Sequence, residues 1–266
     1  MSQEISRTLR EHSKSFVTSL VEKVYDINIV ENGNLNATRE RLAASPETNL
    51  LIYANHLAWS DLVIFELNKR MLDPENERKR LLVCSLWYLK FGNSPIYAAG
   101  IRLIGAITKT ELVPVVQQYM VSDPRYGFSE GEDLASFLAM RRTINKIRKQ
   151  GIPITLIEYP EGHRAKKDNS KGDEMEFQEE EMKKSALDKV AKVLAPVILQ
   201  PIVIIYPEGR IDRGLNIVLG RRTKIMLVPG KPVFQENRND DNVNLDIITQ
   251  NLTDVLLPKM RPQARR

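Results

Sequence analysis

The sequence predicts a single α/β domain with a largely parallel or mixed central sheet flanked by helices. Short runs rich in Ile, Val and Leu recur along the chain, and their near-continuous apolar character is typical of strands covered on both faces. Segments with helical periodicity lie between these runs, and this alternation indicates an α/β sandwich. At 266 residues, of which 42% are hydrophobic and 27% charged, the chain is long enough for a substantial core.

Eight apolar runs are predicted as strands because Gly, Pro or Asn bounds them. These runs are 27–30, 49–54, 81–86, 101–107, 152–159, 197–206, 216–219 and 225–228. Apolar residues at three- and four-residue steps predict helices between or after the strands. The helices are 61–71, 131–149, 178–194 and 242–257, and Gly151 is the stop signal of the second.

The first 24 residues are predicted as an amphipathic helix, because residues such as Ile5 and Leu9 recur at helical spacing. Two interpretations stay open: a helix docked on the domain's own core, or an interfacial membrane anchor at 1–24. We expect the main domain to span 25–257 and a basic tail to span 258–266. No stretch reaches the ~18–20 apolar residues of a membrane-spanning helix, and no secretory signal is evident.

The charge and cysteine content limit the classes of partner. A net charge of +5 favours anionic partners, namely phosphorylated substrates, a membrane surface, a carrier protein or nucleic acid. The basic residues are dispersed and only 6% of residues are aromatic, so a nucleic-acid stacking platform is not expected. The single cysteine, Cys84, fits a reducing compartment and is predicted to be an inert buried thiol. The histidines are too few to predict a metal site.

The first polar cluster, residues 53–61, begins at the end of the predicted strand 49–54. His56 precedes Asp61 by five residues, which makes them a candidate general base and its orienting carboxylate. The pair requires a bend in the chain, because five residues within one helix would turn the side chains about 140° apart. The alternative is that Ser60 or Asp61 caps the next helix and His56 is an ordinary loop residue.

The second polar cluster, residues 159–164, follows another predicted strand and has the features of an anion site. Arg164 offers a planar fork for a phosphate, and Gly162 permits close approach of the backbone. Glu161 would accept a hydrogen bond from a substrate hydroxyl or hold Arg164 in place. The alternative is a plain surface ion pair between Glu161 and Arg164. A similar Tyr-Pro-Glu-Gly-Arg turn at 206–210 leaves open which turn holds the phosphate.

These motifs, in this order, resemble those of the glycerolipid (lysophospholipid) acyltransferase family. The chain has Asn-His-x4-Asp after a strand, Pro-Glu-Gly-x-Arg about a hundred residues later, and then a strand that contains Pro. The resemblance covers roughly residues 25–235 and is nearest to 1-acylglycerol-3-phosphate acyltransferases. It implies a glycerol-3-phosphate acyltransferase-like fold and an O-acyltransferase of phospholipid biosynthesis. The enzyme would move a fatty acyl group to the free hydroxyl of 1-acylglycerol 3-phosphate or a related lysophospholipid.

The resemblance also implies roles for the residues of the two clusters. His56 would be the general base and Asp61 its partner. Glu161, Gly162 and Arg164 would form the glycerophosphate site. The acyl donor would be a thioester of coenzyme A or of acyl carrier protein, which is a co-substrate, and no cofactor is implied.

Three other positions follow from comparison with the family's pattern. Pro201 matches a block that is thought to shape the acyl pocket. Threonine is usual where His163 stands, and Glu111 occupies the place of an arginine in the second block. We therefore expect Lys109 or Arg102 to supply the missing positive charge.

The resemblance leaves alternatives for the activity. The acceptor would be glycerol 3-phosphate or another lysophospholipid, or the chain would be a non-catalytic lipid- or membrane-binding relative that keeps the fold. Its partners would be a phosphate-bearing lipid and a membrane surface. Peripheral attachment to the cytoplasmic face, through the helix at 1–24, is the expected location.

Overall fold

The computed structural model describes residues 25–55, 64, 71–73, 77–90, 95–159, 187–205 and 222–239. The strands are β1 (Tyr25–Ile29), β2 (Asn49–Ala54), β3 (Lys79–Ser85), β4 (Glu111–Val115), β5 (Ile154–Glu158), β6 (Val197–Ile205), β7 (Thr223–Pro229) and β8 (Val233–Gln235). The helices are α1 (Asn34–Ala44), α2 (Leu86–Leu89), α3 (Pro95–Thr108), α4 (Gln118–Ser122), α5 (Glu132–Arg148) and α6 (Leu187–Leu194), and a 3-10 turn spans Pro124–Tyr126. The helices predicted at 1–24 and 242–257, the strand at 216–219 and the tail at 258–266 lie outside the described residues.

All eight described strands belong to one sheet. Its order is β1-β7-β6-β2-β5-β3-β4, and β8 pairs with β6. Five of these pairings are parallel, whereas β6 is antiparallel to both β7 and β8. The predicted α/β domain with a mixed, mostly parallel sheet is therefore confirmed.

The sheet separates two apolar layers, as expected for strands buried on both faces. Helices α5 and α6 pack on one face, over Leu51 and Tyr53 of the central strand β2. Helix α1 packs on the other face, over Leu50 and Ile52 of the same strand. The alternation of neighbouring side chains between the two layers is the period of two expected of a strand. Within the described part of the chain, no helix has the length and apolar character needed to cross a membrane.

The prediction of a strand over 101–107 is wrong, because this segment belongs to helix α3. Periodicity alone does not distinguish a short buried strand from a buried helix segment. Pro95 stands at the first position of α3, where its fixed φ and missing N–H suit a helix. Gly105 brings α3 close to the sheet, since a Cβ at that residue would lie 3.0 Å from the carbonyl oxygen of Thr110 and 3.2 Å from the side chain of Leu112.

The strand of this region is β4, which was not predicted because Pro114 interrupts it. A proline removes one N–H from the ladder and usually argues against a strand. Among the described strands, β4 lies at the edge of the sheet and pairs only with β3, with Pro114 opposite Cys84. An edge strand tolerates the missing donor, so the rule against proline does not hold here.

The buried side chain of Asn49 joins three parts of the sheet at the amino end of β2. Its Nδ2 donates to the carbonyl oxygen of Leu194 at 2.6 Å and to that of Pro196 at 3.3 Å. Its Oδ1 accepts from the backbone N–H of Ile154, at the start of β5, at 2.9 Å. One amide therefore satisfies backbone groups of β5 and of the link between α6 and β6.

We predict that Asn49→Ala lowers the free energy of unfolding by about 2–3 kcal/mol, because it leaves buried backbone groups without partners. Asn28→Ala is the matched control, because Asn28 is an exposed strand residue on β1. Urea denaturation of both variants measures the effect. Equal stabilities of the two variants, within about 0.5 kcal/mol, would contradict a structural role for the Asn49 amide.

Candidate functional site

The carboxyl ends of β2 and β5 lie side by side in the sheet. The two strands are parallel, and Tyr53 of β2 is opposite Glu158 of β5. The chain leaves β2 at Asn55 and leaves β5 at Tyr159. We call the space beyond these two strand ends the β2–β5 crevice.

The connections that leave the β2–β5 crevice run to opposite faces of the sheet. The connection after β2 includes Ile64 and Leu72, which pack in the layer of α1. The connection after β5 leads to α6, which packs in the layer of α5. The two connections also run in opposite directions along the sheet. The chain passes β5 to go from β2 to β3, and it passes β2 to go from β5 to β6. In open α/β sheets, such a point of divergence is where ligands bind.

Asn55 holds the end of β2 against β6. Its Nδ2 donates to the carbonyl oxygen of Ile204 at 3.0 Å, and its Oδ1 accepts from the N–H of the same residue at 2.7 Å. The side-chain amide thus continues the ladder one residue past the strand. Asn55 is 1% exposed, so both hydrogen bonds are shielded from water. The next residue along the chain is His56.

The residues of both predicted clusters lie outside the described part of the chain: His56, Asp61, Glu161, Gly162 and Arg164. The structure does describe the points from which the two clusters extend. His56 directly follows Asn55, and Glu161 is the second residue after Tyr159. Both clusters therefore begin at the same crevice, although they are far apart in sequence.

The two predicted replacements for the missing arginine, Lys109 and Arg102, are both described by the structure. Lys109 is exposed, has φ 55°, and precedes the amino end of β4. Through β3 and β5, the start of β4 aligns with Leu51 of β2, which lies about 13 Å along that strand from Asn55. Lys109 is therefore toward the amino ends of the parallel strands, whereas the β2–β5 crevice is at their carboxyl ends. Arg102 lies in the middle of α3, and its Nη2 donates to the carbonyl oxygen of Leu89 at 3.1 Å. This placement does not support Lys109 as a phosphate ligand at the crevice.

Glu111, at the start of β4, also lies toward the amino ends of the parallel strands. Its Oε2 lies 2.8 Å from Nζ of Lys79, and both side chains are more than a third exposed. The pair is therefore a surface ion pair, which contributes little to stability. The position that the family pattern gives to an arginine is thus occupied here by a partnered carboxylate.

Pro201 lies in the middle of β6, opposite Tyr53, and is buried. Beyond it the partner of β6 changes, from β8 at Val197–Leu199 to β7 at Ile202–Ile205. The carbonyl oxygen of Pro201 accepts from the N–H of Gly230 at 2.9 Å, between the two partner strands. A proline fits at this change of partners, where the ladder is interrupted. A role in an acyl pocket stays a prediction.

Glu158 is a buried carboxyl at the end of β5 that the sequence did not single out. It is 8% exposed, and its Oε2 has no hydrogen-bond partner among the residues that the structure describes. Burial, and secondarily the charge of Asp188 on α6, raises the pKa of Glu158 to about 7. An acid in the run Leu-Ile-Glu-Tyr carries no sequence signal of burial, because the covering helix α6 comes much later in the chain.

Cys84 is half-buried, so the prediction of a buried thiol holds only in part, and its inertness stays a prediction. Burial raises the pKa of this thiol to about 12, against the smaller opposing effect of Arg102. The Sγ lies 3.7 Å from the carbonyl oxygen of Val113, which it contacts as a weak donor. Among the residues that the structure describes, no group of His, Cys, Asp and Glu is arranged to hold a metal ion.

Comparison with known proteins shows similarity to solved structures. No protein-family model and no curated relative matches the chain. The chain is similar to the crystal structure of the 1-acyl-sn-glycerophosphate (LPA) acyltransferase PlsC from Thermotoga maritima, with 14% sequence identity and a TM-score of 0.43. The alignment covers 99% of this chain and 84% of that chain. The α/β fold class follows independently from the strand order and pairing given above.

We predict that Glu158 makes stability fall as pH rises between about 4.5 and 7. In this range the folded protein keeps a proton that the unfolded chain has lost, so the unfolded state binds fewer protons. The loss amounts to about 3 kcal/mol in total. Glu158→Gln removes this titration, so the variant gains about 2–3 kcal/mol relative to wild type between pH 5 and pH 8, because part of the loss has already occurred at pH 5.

Urea denaturation at pH 5 and pH 8 measures this difference. The control is Glu132→Gln, because Glu132 is an exposed residue in the first turn of α5. A difference between Glu158→Gln and wild type that stays constant across the two pH values would show that Glu158 is ionised in the folded protein.

Proposed function

We propose that the protein is an acyltransferase that moves a fatty acyl group from a thioester donor to the free hydroxyl of 1-acylglycerol 3-phosphate or a related lysophospholipid. One observation carries the proposal. The histidine–aspartate cluster and the Pro-Glu-Gly-x-Arg cluster begin at the carboxyl ends of two adjacent parallel strands, β2 and β5. The connections of these strands diverge, and such a crevice suits a base and an anion site that act on one ligand.

In the proposed reaction, His56 is the general base and Asp61 orients its imidazole. The imidazole takes the proton of the acceptor hydroxyl as the oxygen attacks the thioester carbonyl carbon. The carbon–sulfur bond breaks, the new ester forms, and the thiolate leaves and takes up the proton from the imidazolium. The Asn55–Ile204 hydrogen bonds support this role, because they fix the backbone immediately before His56.

The proposed phosphate site consists of Glu161, Gly162 and Arg164. A guanidinium binds a phosphate through paired, charge-assisted hydrogen bonds, and glycine allows the backbone to come close. Arg102 stays a proposed contributor of positive charge, because its hydrogen bond to Leu89 uses only one of its nitrogens and a guanidinium has five N–H donors. The cluster begins next to the buried Glu158, so the anion site extends from a rigid strand end.

The proposed donor is acyl-CoA or acyl-acyl carrier protein, with no further cofactor. The proposed location is the cytoplasmic face of a membrane, with 1–24 as an interfacial helix, because the acceptor is a lipid. The net charge of +5 is consistent with an anionic acceptor and an anionic surface.

We predict that His56→Ala lowers kcat/KM at least 100-fold, the magnitude expected for loss of a general base. The assay follows thiol release from a long-chain acyl-CoA with and without 1-acylglycerol 3-phosphate, so release without acceptor is the internal control. Circular dichroism of the variant checks that the fold is kept.

Acceptor-dependent release that His56→Ala leaves intact would contradict the role of the base. Where wild type releases no thiol, the assay is repeated with acyl carrier protein and glycerol 3-phosphate. Absence of transfer with every donor and acceptor, together with binding of lipid, would identify a non-catalytic lipid-binding protein and contradict the proposal.

A further inference from the structure

Helix α3 exposes an apolar stripe. Ile96 is 84% exposed and Leu103 is 60% exposed. These two residues are seven apart, which is about two helical turns, so they lie on the same side of α3. Ala99 and Ala106 are also exposed and complete a spacing of three, four and three residues. We call these four residues the α3 stripe.

The stripe faces away from the core. The buried side of α3 includes Ala98, which is 0% exposed, and Gly105, which approaches Leu112 of β4. A helix on the outside of an α/β sheet normally exposes polar residues on this side. The α3 stripe is therefore an apolar surface that the described residues leave uncovered.

The charged residues within the segment that carries the stripe are basic, and the first acid after it, Glu111, is paired with Lys79. Between residues 86 and 110 the chain contains Lys90, Arg102 and Lys109, and no Asp or Glu. Helix α5 on the opposite layer differs in this respect. It exposes Leu134 to the same 60%, but its first turn carries Glu132 and Asp133. An apolar surface with an excess of cations in its own segment complements an anionic lipid surface.

The α3 stripe extends toward the carboxyl ends of the strands, where the β2–β5 crevice lies. Helix α3 ends at Thr108, next to the amino end of β4, so Ile96 at the start of the helix lies toward the carboxyl ends. Helix α2 follows the carboxyl end of β3, packs against α3 and exposes Tyr88 to 36%. Tyrosine, with an apolar ring and a polar hydroxyl, suits the boundary between lipid and water.

We propose that the α3 stripe is a membrane-contact surface that inserts Ile96 and Leu103 into the interface of an anionic bilayer. A second copy of the chain is a poorer occupant, because these side chains expose on the order of 200 Å², against about 800 Å² per partner in a stable complex. The inference rests on the proposed function, because a lipid acceptor would then be presented at the edge of the sheet that holds the crevice.

Vesicle co-sedimentation without any acyl donor tests the surface. The vesicles are phosphatidylcholine alone or phosphatidylcholine with phosphatidylglycerol. Leu103→Glu is expected to lower partition onto the anionic vesicles about tenfold or more. The matched control, Leu134→Glu, is expected to stay within about twofold of wild type, because Leu134 has the same exposure on the opposite layer. Lys109→Gln is expected to lower partition about fivefold on anionic vesicles only.

Any one of three results would contradict the proposed membrane contact. The first is that the wild-type protein does not bind anionic vesicles, and the second is that Leu103→Glu and Leu134→Glu reduce binding equally. The third is that light scattering shows an oligomer that Leu103→Glu dissociates. Thermal melts of both variants check that each is folded.

Leu103-dependent binding without acyl transfer would overturn the proposed function alone. Transfer to a detergent-dispersed acceptor, with binding that does not depend on Leu103, would overturn the α3 surface alone.

Discussion

The two hydrogen bonds between the side chain of Asn55 and the backbone of Ile204 determine where the central strand ends. Strand β2 lies between β5 and β6, so its last residue is the point at which the chain leaves the middle of the sheet. At the other end of the strand, Asn49 ties β2 to β5 and to the start of β6 in the same manner. Two buried amides therefore hold the register of the three strands around the crevice. A polar residue buried at such a position is stable only because its hydrogen bonds are complete.

The position of the candidate site follows from this constraint. Because β2 and β5 are parallel neighbours, the segments after Asn55 and Tyr159 start side by side, although a hundred or so residues separate them. The connections after these strands lead to opposite faces of the sheet, which is the arrangement that places ligand sites beyond the carboxyl ends of strands in α/β proteins. Glu158, at the same end of β5, is buried with a raised pKa, because burial disfavours the charged form of its carboxyl. The apolar stripe of α3 reaches the same edge, so the proposed chemistry and the proposed membrane contact lie on one side of the molecule.

Much of the fold could be predicted from apolar runs and their boundaries. The strand predicted over 49–54 coincides with β2, and the helix predicted over 131–149 contains α5. The errors have physical causes: α3 is apolar enough to resemble a strand, and β4 carries a proline that only its edge position permits. The candidate site was predictable as two clusters near strand ends, but their convergence depends on the strand order. The family pattern predicts Lys109 as a source of positive charge at the site, whereas the direction of β4 places this residue toward the amino ends of the strands, away from the crevice. Burial of Glu158 depends on a helix distant in sequence, so local patterns could not reveal it.

The central claim is that the crevice between β2 and β5 holds the phosphate of the acceptor. The chain offers a direct comparison, because the segment 206–210 follows β6, the other neighbour of β2, and has the same Tyr-Pro-Glu-Gly sequence as the start of segment 159–164. The decisive measurement is the KM for 1-acylglycerol 3-phosphate of Arg164→Gln and of Arg210→Gln. We expect Arg164→Gln to raise this KM about 10- to 100-fold, the loss expected for a charge-assisted hydrogen bond, and Arg210→Gln to change it less than about threefold. A larger increase for Arg210→Gln would place the phosphate beside β6 and contradict the account.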